Sequence, residues 1–321
     1  MQQEIRFATF NVLNLALPGL RFYDGIEPYT REQYEAKVAW LAQKFDQLDA
    51  DVIGLQEVFS QEAVRDVLAR TTRYRDAQHI GFEPEPGKLT PSVALISRLP
   101  LAGATAKHVE LPRGLAVPLL DLGGAMTRFT RPVLQVPVQL PGGLVLNVFV
   151  VHLKSKRPDY RNGDSENDPG SIGAAVLRSM IRRGAEALGL RYLLTDFAAG
   201  QRQPLMVMGD FNDVADAVPT QLVLGGGRSV NGHDERMFEC YRLQSRRDPL
   251  RDVGFTHVHD GNFETIDHVL VSEEFNPASP RALGEVLEVA YLNDHVILRS
   301  PDASDHGAVL VRIGIGIGQN E

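Results

Sequence analysis

Apolar runs rich in β-branched residues recur along the chain, and segments with helical spacing lie between them, the pattern of strands inside and helices outside. The runs predict strands over Ile5 to Val12, Asp51 to Leu55, Ser92 to Ser97, Pro132 to Leu140, Leu144 to His152, Pro204 to Met208, Thr265 to Ser272, Gly284 to Ala290 and Gly307 to Ile313. Helical spacing places Tyr34, Val38, Leu41, Phe45 and Leu48 on one face of Arg31 to Leu48. It does the same for Ile172, Val176, Met180, Ala187 and Leu190 within Ser171 to Phe197. Both stripes are expected to press on a core. Pro141, Gly142 and Gly143 predict a hairpin turn, since glycine supplies the positive φ such a connection needs.

Nothing rich in Pro, Ser or Gly divides the chain and no repeat is visible, so residues 1–321 are expected to form one α/β domain. Ser155 to Gly170 has no apolar periodicity and predicts a long exposed loop, a frequent carrier of function. Polar residues then stand at the strand ends. IRFATF ends in Asn11, DVIGLQ in Glu57, LNVFVV in His152, and PLMVMG in Asp210 with Phe211 and Asn212 behind it. Ligands of open α/β sheets bind beyond the carboxyl ends of the strands, so parallel neighbours would bring these four ends together. Asp305 and His306 precede their strand, which fits an antiparallel strand starting at the same rim. Taken singly, each is more often a cap, a surface residue or a structural histidine; together, hard oxygen donors and two histidines suit Mg²⁺ or Mn²⁺ with acid-base partners.

A net charge of -8 argues against coating nucleic acid by charge alone. An enzyme that meets phosphate through bound metal escapes that objection. The single cysteine, Cys240, excludes an intramolecular disulfide and a CxxC metal or redox motif. No run approaches the roughly 20 apolar residues that cross a bilayer, and MQQEIRFATFN has no signal-peptide pattern. The expectation is a cytoplasmic protein with no stable membrane anchor and no predicted protein partner.

FATFNVLNL, DVIGLQEV, SVALISRLP, VVHLKSK, MVMGDFND, TIDHVLVS and SDHGAVLV resemble, in this order, the signature of the endonuclease/exonuclease/phosphatase superfamily. The resemblance spans residues 5 to 313. VVHLKSK, and Phe255 to Gly261 before IDH, are similar to bacterial nuclease-like members. The resemblance implies a deoxyribonuclease I-like, four-layered αββα sandwich with its site at one rim. It implies Glu57 as the principal metal ligand, with Asn11 and Asp305 completing the site directly or through water. Asp210 would orient or deprotonate the attacking water, and Asn212 would hold a phosphate oxygen or fix Asp210. His306, polarised by Asp267, would stabilise charge on the phosphate, and His152 would act opposite it by protonating the leaving oxygen. Some relatives carry an acid where Leu13 stands and Asn14 is a weak substitute, so a single ion is expected.

The physics is independent of the family. A phosphodiester repels hydroxide until its oxygens are neutralised, and a cluster of Glu57, Asp210, Asp267 and Asp305 repels itself without a cation. The expected function is a divalent-metal-dependent phosphodiesterase, foremost a nuclease acting on DNA or RNA. The alternatives are a phosphomonoesterase or phospholipid phosphodiesterase of the same fold, and a non-catalytic binding module. Lys154, two residues after His152, would share its face in a strand and put an ammonium near phosphate, against a plain solvated strand end. Arg131, before PVLQV, is a second candidate substrate contact. Arg178, Arg182 and Arg183 are better read as a solvated helix face. His257 and His259 alternate, but no third ligand stands nearby in sequence, which sets a zinc pair aside.

Overall fold

Alternation sorts each strand into two faces, and the faces dictate the layering. The computed structural model describes residues 2–23, 25–83, 90–120, 123–201, 203–227, 229–230, 232–247, 254–300 and 302–316. In chain order the strands are β1 (Gln2–Leu15), β2 (Val52–Val58), β3 (Gln78–Gly81), β4 (Ser92–Ser97), β5 (Ala106–Glu110), β6 (Val117–Pro118), β7 (Ala125–Met126), β8 (Arg128–Gln139) and β9 (Val145–His152). They continue with β10 (Leu205–Asp210), β11 (Ser229–Val230), β12 (His233–Asp234), β13 (Phe238–Glu239), β14 (His257–His259), β15 (Asn262–Glu264), β16 (Asp267–Val271), β17 (Gly284–Leu292) and β18 (Ala308–Gly316). The helices are α1 (Arg31–Leu48), α2 (Gln61–Arg70), α3 (Pro169–Gln201), α4 (Val218–Leu224), α5 (Cys240–Leu243) and α6 (Asp294–Leu298).

One sheet has the order β17-β18-β1-β2-β4-β3 and the other β13-β16-β10-β9-β8-β5. The two orders match position for position. In each, a central parallel pair, β1 with β2 or β10 with β9, is flanked by antiparallel strands. Ile5, Phe7, Val148, Val150, Met206 and Met208 are among the residues packed between the sheets. The sheets come close at Gly54, where a Cβ would lie 2.7 Å from Met208 Sδ. The outward residues Ala8, Phe10, Ile53 and Leu55 pack with α1 and α2, and Phe149, Val151, Val207 and Leu270 with α3 and α4. This is the αββα sandwich. The β8–β9 hairpin turns at Gly142 and Gly143, at φ 83° and 86°.

Several expected boundaries shift. β1 runs on to Leu15, β10 includes Asp210, and Arg131 lies inside β8. The larger correction concerns α3. Val176 and Met180 are about half exposed, at 47% and 49%; the helix instead buries Ala175, Arg178, Ser179, Arg183 and Glu186 before Ala187 and Leu190 take over. The helix start therefore packs on the polar Ser155 to Gly170 loop, which demands polar partners. Arg178 pairs with Asp164, Arg182 Nε lies 2.8 Å from Asp159 Oδ2, and Arg183 Nε lies 2.9 Å from Asp213 Oδ2. These arginines are internal ties, not a solvated face. Arg183→Met should cost about 2 kcal/mol of stability in chemical denaturation, because it leaves the mostly buried Asp213 carboxylate with only the Lys156 ammonium, 3.5 Å away; an unchanged midpoint would show that the pair contributes nothing. Among the described residues no helix is long and apolar enough to cross a membrane.

Candidate active site

The strand faces that meet between the sheets change character as they approach one rim. On β1, Ile5 and Phe7 are followed on the same face by Thr9 and Asn11; on β9, Val148 and Val150 by His152; on β10, Met206 and Met208 by Asp210. Thr9 Oγ1 donates to Gln56 Oε1 at 3.2 Å, marking the change from apolar to polar contact. Asp267 lies opposite Asp210 in the antiparallel β10–β16 ladder. Beyond these points the backbone leaves ordinary strand geometry: Leu13 and Asn14 sit at φ 51°, Glu57 at 62° and Asn212 at 53°. Such left-handed residues are uncommon outside glycine and persist where their surroundings fix them. At Glu57 the ladders of β2 with both β1 and β4 shift register, a bulge that re-aims the side chain.

Asn11, fully buried, is the hub. Its Nδ2 lies 3.1 Å from Asp210 Oδ2, 3.4 Å from Glu57 Oε1 and 3.5 Å from His306 Nε2. Its Oδ1 accepts from the Leu13 amide at 3.1 Å, so the amide nitrogen, not the carbonyl, faces the carboxylates. Asn14 N–H donates to Glu57 Oε2 at 3.1 Å. Asp210 Oδ1 accepts from the Asn212 amide at 2.7 Å, while the Asn212 side chain donates to Leu153 O at 2.9 Å. His152 Nε2 lies 3.4 Å from Asp210 Oδ2. His306 Nδ1 lies 2.8 Å from Asp267 Oδ2, and His295 Nε2 donates to the His306 carbonyl at 2.7 Å.

Burial sets the electrostatics. Asp210 is pushed up to about 7 by burial and by the neighbouring Asp267 carboxylate. Burial alone would lower the His306 pKa, but Asp267, Asp210 and Asp305 outweigh it and hold the ring protonated well above its ordinary value. His152 goes the other way, well below its ordinary value, through burial and the nearby positive charges of Arg131, His306 and Lys154. The two histidines thus hold opposite charge states at neutral pH.

Two expected substrate contacts stand differently. β9 ends at His152, so Lys154 does not share its strand face; its ammonium turns into the loop and donates to Ser155 O and Arg157 O, both at 3.1 Å. Arg131 remains at the rim, donating to Leu153 O at 3.3 Å, and its charge bears on Tyr23 and His152.

The donors fit a hard divalent cation. Ligand atoms of Asp210, Asp267 and His306 lie within 4.8 Å of one another, as do those of His257, Asp305 and His306. Asp267 Oδ1 and Asn14 Oδ1 are buried without a hydrogen-bond partner. Neither group includes Glu57, which reaches them through Asn11. The partners of His257, absent from its own stretch of sequence, are Asp305 and His306, not His259. The β14–β15 hairpin brings it there: Gly307 N–H donates to Thr256 O at 2.6 Å, and Thr256 Oγ1 accepts from the amides of Ile266 and Asp267. His257 lies ring to ring with His306 at 5.0 Å. A second residue outside the expected set is Lys37, a cation placed in the apolar stripe of α1.

A model described as endonuclease/exonuclease/phosphatase family matches residues 8–306. No curated protein sequence matches the chain. Among solved structures, an endonuclease/exonuclease/phosphatase family protein from Bacteroides thetaiotaomicron is similar at TM-score 0.61 and 16% identity, covering 100% of this chain and 98% of its own. The human Nocturnin catalytic domain with bound sulfate anion is similar at TM-score 0.60 and 17% identity, covering 98% of each chain. A mannosyl-6-phosphatase from Bacteroides thetaiotaomicron is similar at TM-score 0.59 and 16% identity, covering 96% of this chain and 99% of its own.

Proposed function

Because the chain belongs to the endonuclease/exonuclease/phosphatase family, hydrolases that act on phosphoester bonds with a divalent cation, we propose that it is a phosphodiesterase and foremost a nuclease. The observation that carries the chemistry is the meeting of Asn11, Glu57 and Asp210 through one amide group, from strands of both sheets, with His306 Nε2 3.9 Å from Asp210 Oδ2. Glu57 and Asp305 would hold Mg²⁺ or Mn²⁺, and the Asn11 amide nitrogen lies between the Glu57 and Asp210 carboxylates. When bound, the cation neutralises phosphoryl oxygens and acidifies water.

Each protein group then has one task. Asp210, held by the Asn212 amide, takes the proton of the attacking water, for which a pKa near 7 is well matched. Protonated His306, fixed by Asp267, donates to a phosphoryl oxygen whose charge grows in the transition state. His152 is neutral, which supports a hydrogen bond to the leaving oxygen in place of the proton transfer expected from sequence. Arg131 supplies positive charge at the same rim.

Strand order supports a substrate that continues past the attacked phosphate. β9 and β8 lie to one side of Asp210, and β16 with the β14–β15 hairpin to the other. A cavity of about 400 Å³ lined by Thr130 and Pro132, which flank Arg131, also offers Lys107 and Thr127 to a neighbouring phosphate. Arg128 and Arg182 in its lining are paired with Glu110 and Asp159, and Glu83 brings a negative charge. The likeness to a mannosyl-6-phosphatase keeps a phosphomonoester as the second reading. Bis-para-nitrophenyl phosphate, para-nitrophenyl phosphate, DNA, RNA and sphingomyelin, each with Mg²⁺ or Mn²⁺ and with chelator, separate the readings. The diester or nucleic acid should be cleaved, with a loss of at least about 100-fold under chelation and recovery on adding metal. Faster turnover of the monoester selects the second reading, and binding of any substrate without turnover selects a binding module.

A further inference from the structure

Strand β16 alternates like its neighbours, and its outward face packs with α3 and α4, where Leu270 is fully buried. The same face carries His268, 2% exposed, in a slot that an apolar side chain would fill without desolvating a polar group. Both nitrogens of the ring are occupied. Nδ1 lies 3.1 Å from Glu239 Oε1, and Nε2 lies 2.9 Å from the Asp213 carbonyl oxygen. The ring also meets Phe211 edge to face, with centres 5.2 Å apart and planes at 82°. Two acceptors on one imidazole call for two N–H donors. Burial lowers the ring's pKa, but the Glu239 carboxylate and the Asp213 carbonyl outweigh it and raise the value above the ordinary one.

Phe211 and Asp213 flank Asn212, whose amide holds Asp210 and whose φ of 53° is left-handed. A residue other than glycine stays in that conformation only where its surroundings impose it. The near end of this turn is tied to the sheet: the Asp210 carbonyl accepts from Leu153 N–H, and the Phe211 amide donates to Ile266 O, both at 2.9 Å. At the far end, Arg183 and Lys156 tie the Asp213 carboxylate. Its carbonyl, and with it the direction of the backbone leaving Asn212, is held by His268. We propose that His268 is the positioning residue of this turn, gripping Phe211 and Asp213 on either side so that Asn212 stays left-handed and its amide stays on Asp210. His268 works from the outer face of β16, through backbone, and reaches neither substrate nor cation. Asp267, its neighbour in the chain, faces the other way and pairs with His306. Adjacent residues of one strand thus steady the proposed base from behind and the proposed charge donor from the front. The inference rests on the phosphoesterase reading, with Asp210 as its base.

The test uses the two amides that each imitate one imidazole nitrogen. An asparagine amide nitrogen stands where the ring has Nδ1, and a glutamine amide nitrogen stands where it has Nε2. His268→Asn therefore keeps a donor for Glu239 and drops the one for Asp213, while His268→Gln does the reverse. Hydrolysis of bis-para-nitrophenyl phosphate and para-nitrophenyl phosphate with Mn²⁺ is followed for wild type and both variants, with thermal melting alongside. Each variant loses one of two buried hydrogen bonds, so both should melt below wild type. His268→Asn should lose about tenfold in kcat with KM within about twofold, the mark of a displaced base rather than of weakened binding. His268→Gln should stay within about threefold of wild type in kcat. A ring that only fills the core would lower kcat alike in both. Equal kcat in the two variants, a larger loss in His268→Gln, or a loss confined to KM overturns the proposal. If only one variant folds, it is read against wild type by its own expected result, and failure of both to fold assigns the ring to structure alone. Wild type that hydrolyses neither ester refutes the phosphoesterase reading itself, a different result from an active enzyme indifferent to position 268.

Discussion

Asp210→Asn should lower turnover of a phosphodiester by on the order of 10³-fold, the scale of a lost general base. The amide nearly matches the carboxylate in shape and its oxygen can still accept from the Asn212 amide, but its nitrogen then meets the Asn11 amide nitrogen. Asp210→Glu, which keeps the carboxylate, is therefore the control that separates a lost base from a rearranged rim. Mn²⁺ binding should stay within a few-fold, since Glu57 and Asp305 are untouched. The substitution has a second, opposite signature. The Asp210 carboxyl is raised from an ordinary 3.8 to about 7 by burial and Asp267. The folded chain therefore holds a proton that the unfolded chain releases, and this contribution to stability is present below pH 4 and lost as pH rises through 7. In metal-free protein at pH 8, Asp210→Asn should melt several degrees above wild type, a gap that narrows toward pH 5. Turnover unchanged by the substitution would place the base elsewhere.

His306→Ala should cost about 10²- to 10³-fold in turnover, because it removes a charged donor from a mostly buried site where no water replaces it. Asp267→Asn should act through the same ring. Asp267 is the leading influence holding His306 protonated against burial. Without that carboxylate the imidazole loses its proton at lower pH, so the alkaline fall in the rate profile should move to lower pH than in wild type. The two substitutions combined should cost little more than His306→Ala alone, since Asp267 Oδ2 pairs directly with the ring. Additive losses would mean that Asp267 contacts the substrate independently.

Most residues legible from sequence share one property: they stand at the end of an apolar run. His152 and Asp210 each extend the inward face of a strand by one polar step and Asn11 by two, behind Thr9, and the ends of the runs are visible in the letters. Asp305 and His306 were legible from their place before a strand, and β18 does run antiparallel to β1. Harder to read were features that depend on what covers an element. Lys154 was assigned a face by continuing a strand that stops at His152. The α3 stripe through Val176 and Met180 was chosen for hydrophobicity, whereas the covering loop is polar and draws arginines inward. The partners of His257 stand about fifty positions away, beyond any local pattern. Lys37 stands as a charged letter in an apolar stripe, and its burial emerges only once α1 packs on its sheet.

Asn11 and Glu57 belong to one sheet, His152, Asp210 and Asp267 to the other, and the Asn11–Asp210 and His306–Asp267 contacts cross between them. A half-made molecule, with one sheet formed and the other still unravelled, owns at most one side of each handshake and has no centre able to attack an ester. Under the proposed roles, competence would therefore arrive only when the two halves close on each other.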